Sequence, residues 1–311
     1  MNSAEKRLAD HKTRNDMSKK KLSFAIFGND RQALETVHIW EVLDYLAKRE
    51  AEIYMEEGFY NDLCKDLNED IHVSGVFDGA NFNTDYAISL GGDGTFLRAA
   101  SKVGAKQIPI IGVNMGRLGF LANISPSEIK ETLDDIYNGS FDIDERAIVK
   151  LESESEIIEA YPYALNDIAI LKRDNASMIT IYVNINGEYL VTYLADGLIV
   201  STPTGSTAYS LSNGGPILVP HSAILSLTPV APHSLNIRPI VLNDNVEIKI
   251  EVESRSHNFL VAIDGRSINL HEGTVLTIHK APFVTRIVKR RGHNYYSTLR
   301  KKLMLGADSR K

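Results

Sequence analysis

The sequence predicts an α/β protein of two domains, a first built on a mainly parallel sheet and a second rich in β-strand. Three observations predict it. From Leu22 to about residue 140, short apolar runs alternate with segments of helical period. From about residue 141 the helical pattern fades and period-two alternation replaces it. After Pro282 the chain turns basic, and NYYSTLRKKLML (294–305) reads as a closing helix that packs back on the first domain. The expected divisions are a mobile tail over 1–21, the first domain over 22–145, the β-rich domain over 146–285 and a returning segment over 286–311.

The first domain opens with LSFAIFG (22–28), a strand. From Arg31 to Arg49, Leu34, Val37, Val42, Leu43 and Leu46 form an apolar stripe at helical spacing. AEIYM (51–55), YAISL (86–90) and IPIIGVN (108–114) read as further strands. SPSEIKETLDDIYNG (125–139) is a helix with Ser125 as N-cap, Pro126 in the first position and Gly139 after the end. Strands that alternate with helices imply a mainly parallel sheet covered on both faces. Ligands of such sheets bind beyond the carboxyl ends of the strands.

In the second domain, MITIYVNINGEYLVTYL (178–194) is two strands around Asn186-Gly187, a strong hairpin signal. VEIKIEV (246–252), NFLVAID (258–264) and GTVLTIHK (273–280) add strands. No internal repeat and no low-complexity segment interrupts the pattern.

Composition excludes several classes. A length of 311 residues with 43% hydrophobic and 24% charged residues is that of an ordinary globular protein of about two domains. A net charge of −6 gives no support for nucleic acid as the main partner. No apolar stretch approaches a membrane span, and the N-terminus lacks the apolar core of a secretory signal. The single cysteine, Cys64, excludes an intramolecular disulfide and fits a reducing, cytoplasmic compartment. The nine histidines show no metal-ligand spacing, so no protein-held metal is expected.

Residues 86–100, YAISLGGDGTFLRAA, concentrate the chemistry. Gly91, Gly92 and Gly94 stand where a strand turns into a helix marked by Phe96, Leu97, Ala99, Ala100 and Val103. Glycines there let a ligand approach the backbone, and a helix start suits phosphate. Yet the loop has neither the lysine of a P-loop nor the spacing of a dinucleotide fingerprint. Asp93 repels phosphate, so it is explained by a metal ion, a sugar hydroxyl or a proton to be removed, or else by capping the helix. A second stretch, ADGLIVSTPTGSTAYSLSNGGPI (195–217), follows an apolar run with small hydroxyl residues. Buried hydroxyls need partners, so this suits a wall against a polar ligand better than a core strand. Asn166-Asp167, set in the apolar ALNDIAIL, either bulges at an edge or faces a ligand.

Together these pieces resemble the NAD kinase family. The resemblance rests on GGDGTFLRA (91–99), NMGRLGFL (114–121), LND (165–167), DGLIVSTPTGSTAYSLSNGGPI (196–217) and LTPVAPHSLNIRPIVL (227–242), in the family's order and spacing. GGDGT alone is shared with lipid kinases and 6-phosphofructokinases; STPTGSTAYSLSNGGP is far more specific. The resemblance implies transfer of the γ-phosphoryl group of ATP to the 2′-hydroxyl of the adenosine ribose of NAD, giving NADP, with Mg²⁺ or another divalent cation accompanying ATP. It implies a Rossmann-like first domain, a β-sandwich-like second domain and a returning C-terminal segment. It also implies a homodimer or homotetramer, with the active site between domains and completed across subunits.

By the same resemblance, Gly91, Gly92 and Gly94 contact phosphate, and Thr95 and Arg98 join the nucleotide-binding residues. Asp93 meets the reacting hydroxyl, either as general base or by positioning it while Mg²⁺ manages phosphate charge. Asn166 and Asp167 contact the adenosine part of NAD, and Asp196 the nicotinamide end. Thr204, Thr207, Ala208, Tyr209 and Ser212 line the dinucleotide groove, with Phe120 packed against it and Arg117 on a phosphate. The family usually has Asn-Glu where this chain has Asn166-Asp167, so the shorter Asp167 is left to reach the ribose either directly or through a bridging water. Two rival readings are a diacylglycerol- or sphingoid-type lipid kinase, which needs a membrane-facing surface, and a non-catalytic NAD sensor, which has no use for Asp93.

Overall fold

The computed structural model describes residues 21–28, 36–67, 70–116, 118–158, 160–173, 177–292 and 294–306. The expected tail lies outside them, apart from Lys21. The chain divides into two compact units. One combines the chain up to Asp144 with the segment from Arg286 onward; the other is Glu145–Thr285.

The first unit is organised by a seven-stranded sheet. Its spatial order is Gly75–Phe77, Glu52–Glu56, Ser23–Gly28, Tyr86–Gly91, Ile110–Asn114, Thr285–Arg290 and Phe141–Arg146. The pairings from Gly75–Phe77 through Thr285–Arg290 are parallel. Tyr86–Gly91 and Ile110–Asn114 are buried throughout, which is why they read as continuous apolar runs rather than alternating ones. The chain order reverses between Ser23–Gly28 and Tyr86–Gly91. Their carboxyl ends, Gly28 and Gly91, therefore flank the crevice where such sheets take ligands.

Helices Thr36–Lys48, Glu57–Leu67, Asp93–Val103 and Ile129–Tyr137 accompany the sheet. Glu57–Leu67 has too few apolar residues to stand out in the sequence; Phe59 and Leu63, one turn apart, are what it buries. The helix expected from Ser125 begins as a 3₁₀ turn, Pro126–Glu128, before the α-helix proper. Ser125 and Glu128 form a capping box, with the Ser125 amide donating to Glu128 Oε2 at 2.9 Å. Strand Thr285–Arg290 sets Ile287 opposite Ile110, and helix Tyr295–Leu303 follows, capped by Asn294. The C-terminal segment thus returns to the first unit, as expected.

The second unit is a pair of six-stranded antiparallel sheets. One runs Glu188–Ala195, Ile179–Ile185, Ile248–Glu253, Leu276–Lys280, Val149–Ser153, Tyr163–Ala164. The other runs Ile240–Asn243, Ile224–Val230, Gly197–Ser201, Asp167–Lys172, Asn258–Ile263, Arg266–His271. Inward residues of both, among them Ile181, Val183, Leu198, Val200, Phe259 and Val261, form one core. The predicted Asn186-Gly187 hairpin is present with φ of 51° and 83°, the paired positive values of a type I′ turn.

Candidate functional site

Strand Tyr86–Gly91 ends in the glycine loop, and helix Asp93–Val103 starts at once. Phe96, Ala99, Ala100 and Val103 are buried on one face, which fixes how the helix sits. Gly91 has φ of 154°, and a Cβ there would stand 2.4 Å from Thr95 Oγ1. Thr95 is itself buried, packed beneath the loop. Gly92 and Gly94 differ: a Cβ on either meets nothing within 4 Å among the described residues. Packing does not demand glycine at either position, and the backbone there is open to close approach.

Asp93 does not cap its own helix; Gly92 is the N-cap and no side chain closes it. The Asp93 carboxylate turns to the loop after Ile110–Asn114. Its Oδ1 accepts the amides of Leu121 and Ala122, both at 3.0 Å. Its Oδ2 accepts the amide of Phe120 at 2.9 Å and lies 3.6 Å from Lys302 Nζ. A Cβ on Gly119 would fall 2.0 Å from Asp93 Oδ1, so the carboxylate occupies the space that a side chain at 119 would need. Asn114 shapes the same loop, donating through Nδ2 to the Ala122 carbonyl at 3.1 Å and accepting the Gly116 amide at 2.8 Å. The GGDGT and NMGRLGFL motifs are thus one structure, joined by a carboxylate.

Arg98 donates to the Gly28 carbonyl and pairs with Glu56 Oε2 at 3.2 Å, at the crevice end of the neighbouring strands. Phe120 is half-buried beside Asp93. Arg117 lies outside the described residues.

In the second unit the hydroxyl-rich stretch splits into two sets. Ser201, Thr202, Ser206 and Ser210 are fully buried and spend their hydroxyls inside. Thr202 Oγ1 donates to the Leu165 carbonyl at 2.6 Å, Ser206 Oγ donates to the Pro203 carbonyl at 2.7 Å, and Ser210 bonds Thr228 at 2.9 Å. They give the loop its shape. Thr207 and Ala208 are half-buried, and Tyr209 and Ser212 are exposed on the short helix Tyr209–Ser212. Thr204 is buried but accepts from Arg146 at 3.3 Å. Gly205 packs on Asn166 so closely that a Cβ would stand 2.1 Å from the Asn166 carbonyl oxygen.

Asn166-Asp167 is no edge bulge. Asp167 begins a central strand opposite Ser201, so the pair adjoins the hydroxyl loop. Asp264 holds it there: Oδ2 accepts the Leu165 amide at 2.8 Å, and Oδ1 accepts those of Asn166 and Asp167 at 2.8 and 3.2 Å. Asp167 is buried, and burial, then the charge of Asp264, push its carboxyl up to about 7. Burial also raises Asp264, while its three amide donors and Arg266 oppose that. Sequence reasoning missed Asp264. The signal was the Asp264-Gly265 dipeptide between two strands, a hairpin turn with φ of 47° and 80°. Asp196 is not brought to this group. It precedes Gly197–Ser201 and so lies about 20 Å from Thr202 along the strand. There it pairs with Lys172 at 2.7 Å.

Comparison with known proteins follows the same two-unit division. The model for the ATP-NAD kinase N-terminal domain matches residues 24–141, and that for the ATP-NAD kinase C-terminal domain matches residues 165–290. The NAD kinase of Bacteroides fragilis is 54% identical, covering 93% of this chain and 100% of its own length. That of Porphyromonas gingivalis is 42% identical, covering 91% and 98%. Among solved structures, yeast NADH kinase complexed with NADH shares the fold, with a TM-score of 0.82 at 23% identity over 92% of this chain and 89% of that one. An NAD kinase from Archaeoglobus fulgidus in complex with ATP gives 0.72 at 26% identity, over 91% and 99%.

Proposed function

The chain belongs to the NAD kinase family, and we propose that it runs the family's reaction through Asp93 and the glycine loop that carries it. The reaction phosphorylates NAD to NADP: the ribose 2′-oxygen attacks the γ-phosphorus of ATP, the bond to the β-γ bridging oxygen breaks, and ADP leaves. The hydroxyl proton goes to Asp93 or to solvent, according to whether the carboxylate acts as base or as positioning group.

The observation that carries the reading is the division of labour within one carboxylate. Asp93 Oδ1 is taken by two amides, whereas Oδ2 accepts one. Oδ2 therefore keeps capacity for a substrate hydroxyl, and the amides fix its direction in advance. Gly92 and Gly94 leave the backbone beside it open to phosphate. A divalent cation is proposed to arrive with ATP rather than on a protein-held site. That cation neutralises phosphate charge.

Asn166, Asp167, Thr204, Thr207, Ala208, Tyr209 and Ser212 are proposed to hold NAD, with Asp196 toward its nicotinamide end. A homodimer or homotetramer and a cytoplasmic location complete the proposal; light scattering and cell fractionation test them. The decisive assay is purified protein with ATP, Mg²⁺ and NAD, followed by NADP formation, with Asp93→Asn as the comparison. A wild-type protein that binds NAD but makes no NADP is a sensor; activity on diacylglycerol or a sphingoid base instead of NAD favours the lipid-kinase reading.

A further inference from the structure

We propose that Lys302, from the C-terminal helix, is a positioning residue for phosphoryl transfer: it steers Asp93 Oδ2 and offsets its charge where the triphosphate must come close. The inference rests on the reading of Asp93 above. It addresses a difficulty that reading leaves standing. A carboxylate set among phosphate-binding glycines repels the substrate it serves, and repulsion between close charges is weakly screened where water is partly excluded.

The geometry supplies the compensation. Lys302 Nζ lies 3.6 Å from Asp93 Oδ2, the oxygen that retains capacity for substrate. The two side chains are 32% and 31% exposed, so the pair is neither buried nor free in solvent. At 3.6 Å the contact is an ion pair rather than a hydrogen bond of ordinary length, which leaves Oδ2 able to accept a hydroxyl proton. The ammonium also stands over the Phe120 ring, 4.9 Å from its centroid. Phe120 thus places two groups on one oxygen: its amide binds Oδ2 directly, and its ring seats the lysine beside it.

A plainer account exists. Arg300, Lys301 and Lys302 all lie in the last turn of helix Tyr295–Leu303, where cations complement the helix dipole. That account explains three basic residues in a row. It does not explain why Lys302 carries its ammonium to the Asp93 carboxylate. The returning C-terminal segment, otherwise only a structural closure, then has a part in the chemistry.

The test compares Lys302→Met, Lys302→Gln and Lys302→Arg, each made in the wild type and in Asp93→Asn. Rates are read at saturating NAD and MgATP, with melting temperatures alongside. Methionine keeps an apolar stem over Phe120 without the charge, and glutamine serves if methionine lowers the melting temperature. The expected result is a fall in kcat of roughly ten-fold or more for Met and Gln, with KM for NAD unchanged. Arginine should restore most of the rate. In the Asp93→Asn background, losing Lys302 should add little. A Lys302→Met enzyme that keeps more than half its kcat, while Asp93→Asn is impaired, overturns this inference and leaves Asp93 standing. Equal losses in both backgrounds overturn it too, since Lys302 then acts apart from Asp93. An active Asp93→Asn enzyme removes the premise itself.

Discussion

The amide of Asp167 donates to Asp264 across 3.2 Å, while the Asp167 carboxyl is buried within reach of the same negative charge. Burial first and Asp264 second raise Asp167 to about 7, far above an ordinary aspartate. The native state therefore holds this proton more tightly than the unfolded chain does. Stability from the group is complete below the unfolded pKa and is lost as pH rises through about 7. Asp167→Asn removes the charge and keeps the size. Its stability relative to wild type should be clearly more favourable at pH 8 than at pH 5, measured by thermal melts at both. The same difference at both pH values would show that Asp167 ionises freely in the folded protein.

The pair also shows what the sequence made legible. Asp167 stood out because a polar pair breaks an apolar run. Asp264 did not, because Asp-Gly between two strands is already explained as a turn, and its partners at 165–167 are distant in sequence. The same holds at Asp93, which was visible inside a glycine loop while its amide donors at 120–122 were not. Periodicity showed helix Thr36–Lys48 in part and the hairpin at Asn186 in full. It could not show that Thr285–Arg290 joins the first sheet, since pairing with Ile110–Asn114 leaves no local trace. Nor could it divide the hydroxyls of 201–212 into those that build the loop and those left toward solvent. That division depends on neighbours such as Thr228 and Leu218.

Gly94 separates stability from function. It is the second residue of helix Asp93–Val103, and a Cβ there meets nothing within 4 Å among the described residues. Gly94→Ala should therefore leave the melting temperature equal or higher, by up to roughly 0.5–1 kcal/mol of stability. The methyl group stands where phosphate is proposed to approach, so KM for ATP should rise several-fold. Unchanged kinetics would remove Gly94 from the phosphate site.

Tyr209 is 40% exposed, which argues against a purely structural role. Tyr209→Phe should leave the melting temperature unchanged and weaken NAD binding by about 1 kcal/mol, the worth of one hydrogen bond. Titration calorimetry with NAD reads the affinity directly. A variant with wild-type affinity and a lower melting temperature would return Tyr209 to the framework.

Asp93→Asn tests the chemistry, and the structure changes what it must be compared with. The variant removes the negative charge, but it also replaces one acceptor oxygen with an NH₂ group. Three amides, from Phe120, Leu121 and Ala122, now compete for a single oxygen. At least one must lose its bond, at a cost of about 1–3 kcal/mol. Part of any loss of activity therefore comes from a loosened 120–122 loop. Amide exchange at Phe120, Leu121 and Ala122 measures that part, and NAD binding should survive it. If Asp93 is a general base, kcat should fall by roughly 10²–10⁴-fold. If it only orients the hydroxyl, asparagine turned with its oxygen outward can still do so, and the fall should be nearer ten-fold. Asp93→Ala separates the two further, because it abolishes orientation as well as charge. General-base catalysis requires Asn and Ala to be about equally poor; positioning requires Asn to be clearly the better. An Asp93→Asn enzyme with more than half of wild-type kcat would leave this carboxylate as the clasp between two loops and nothing more.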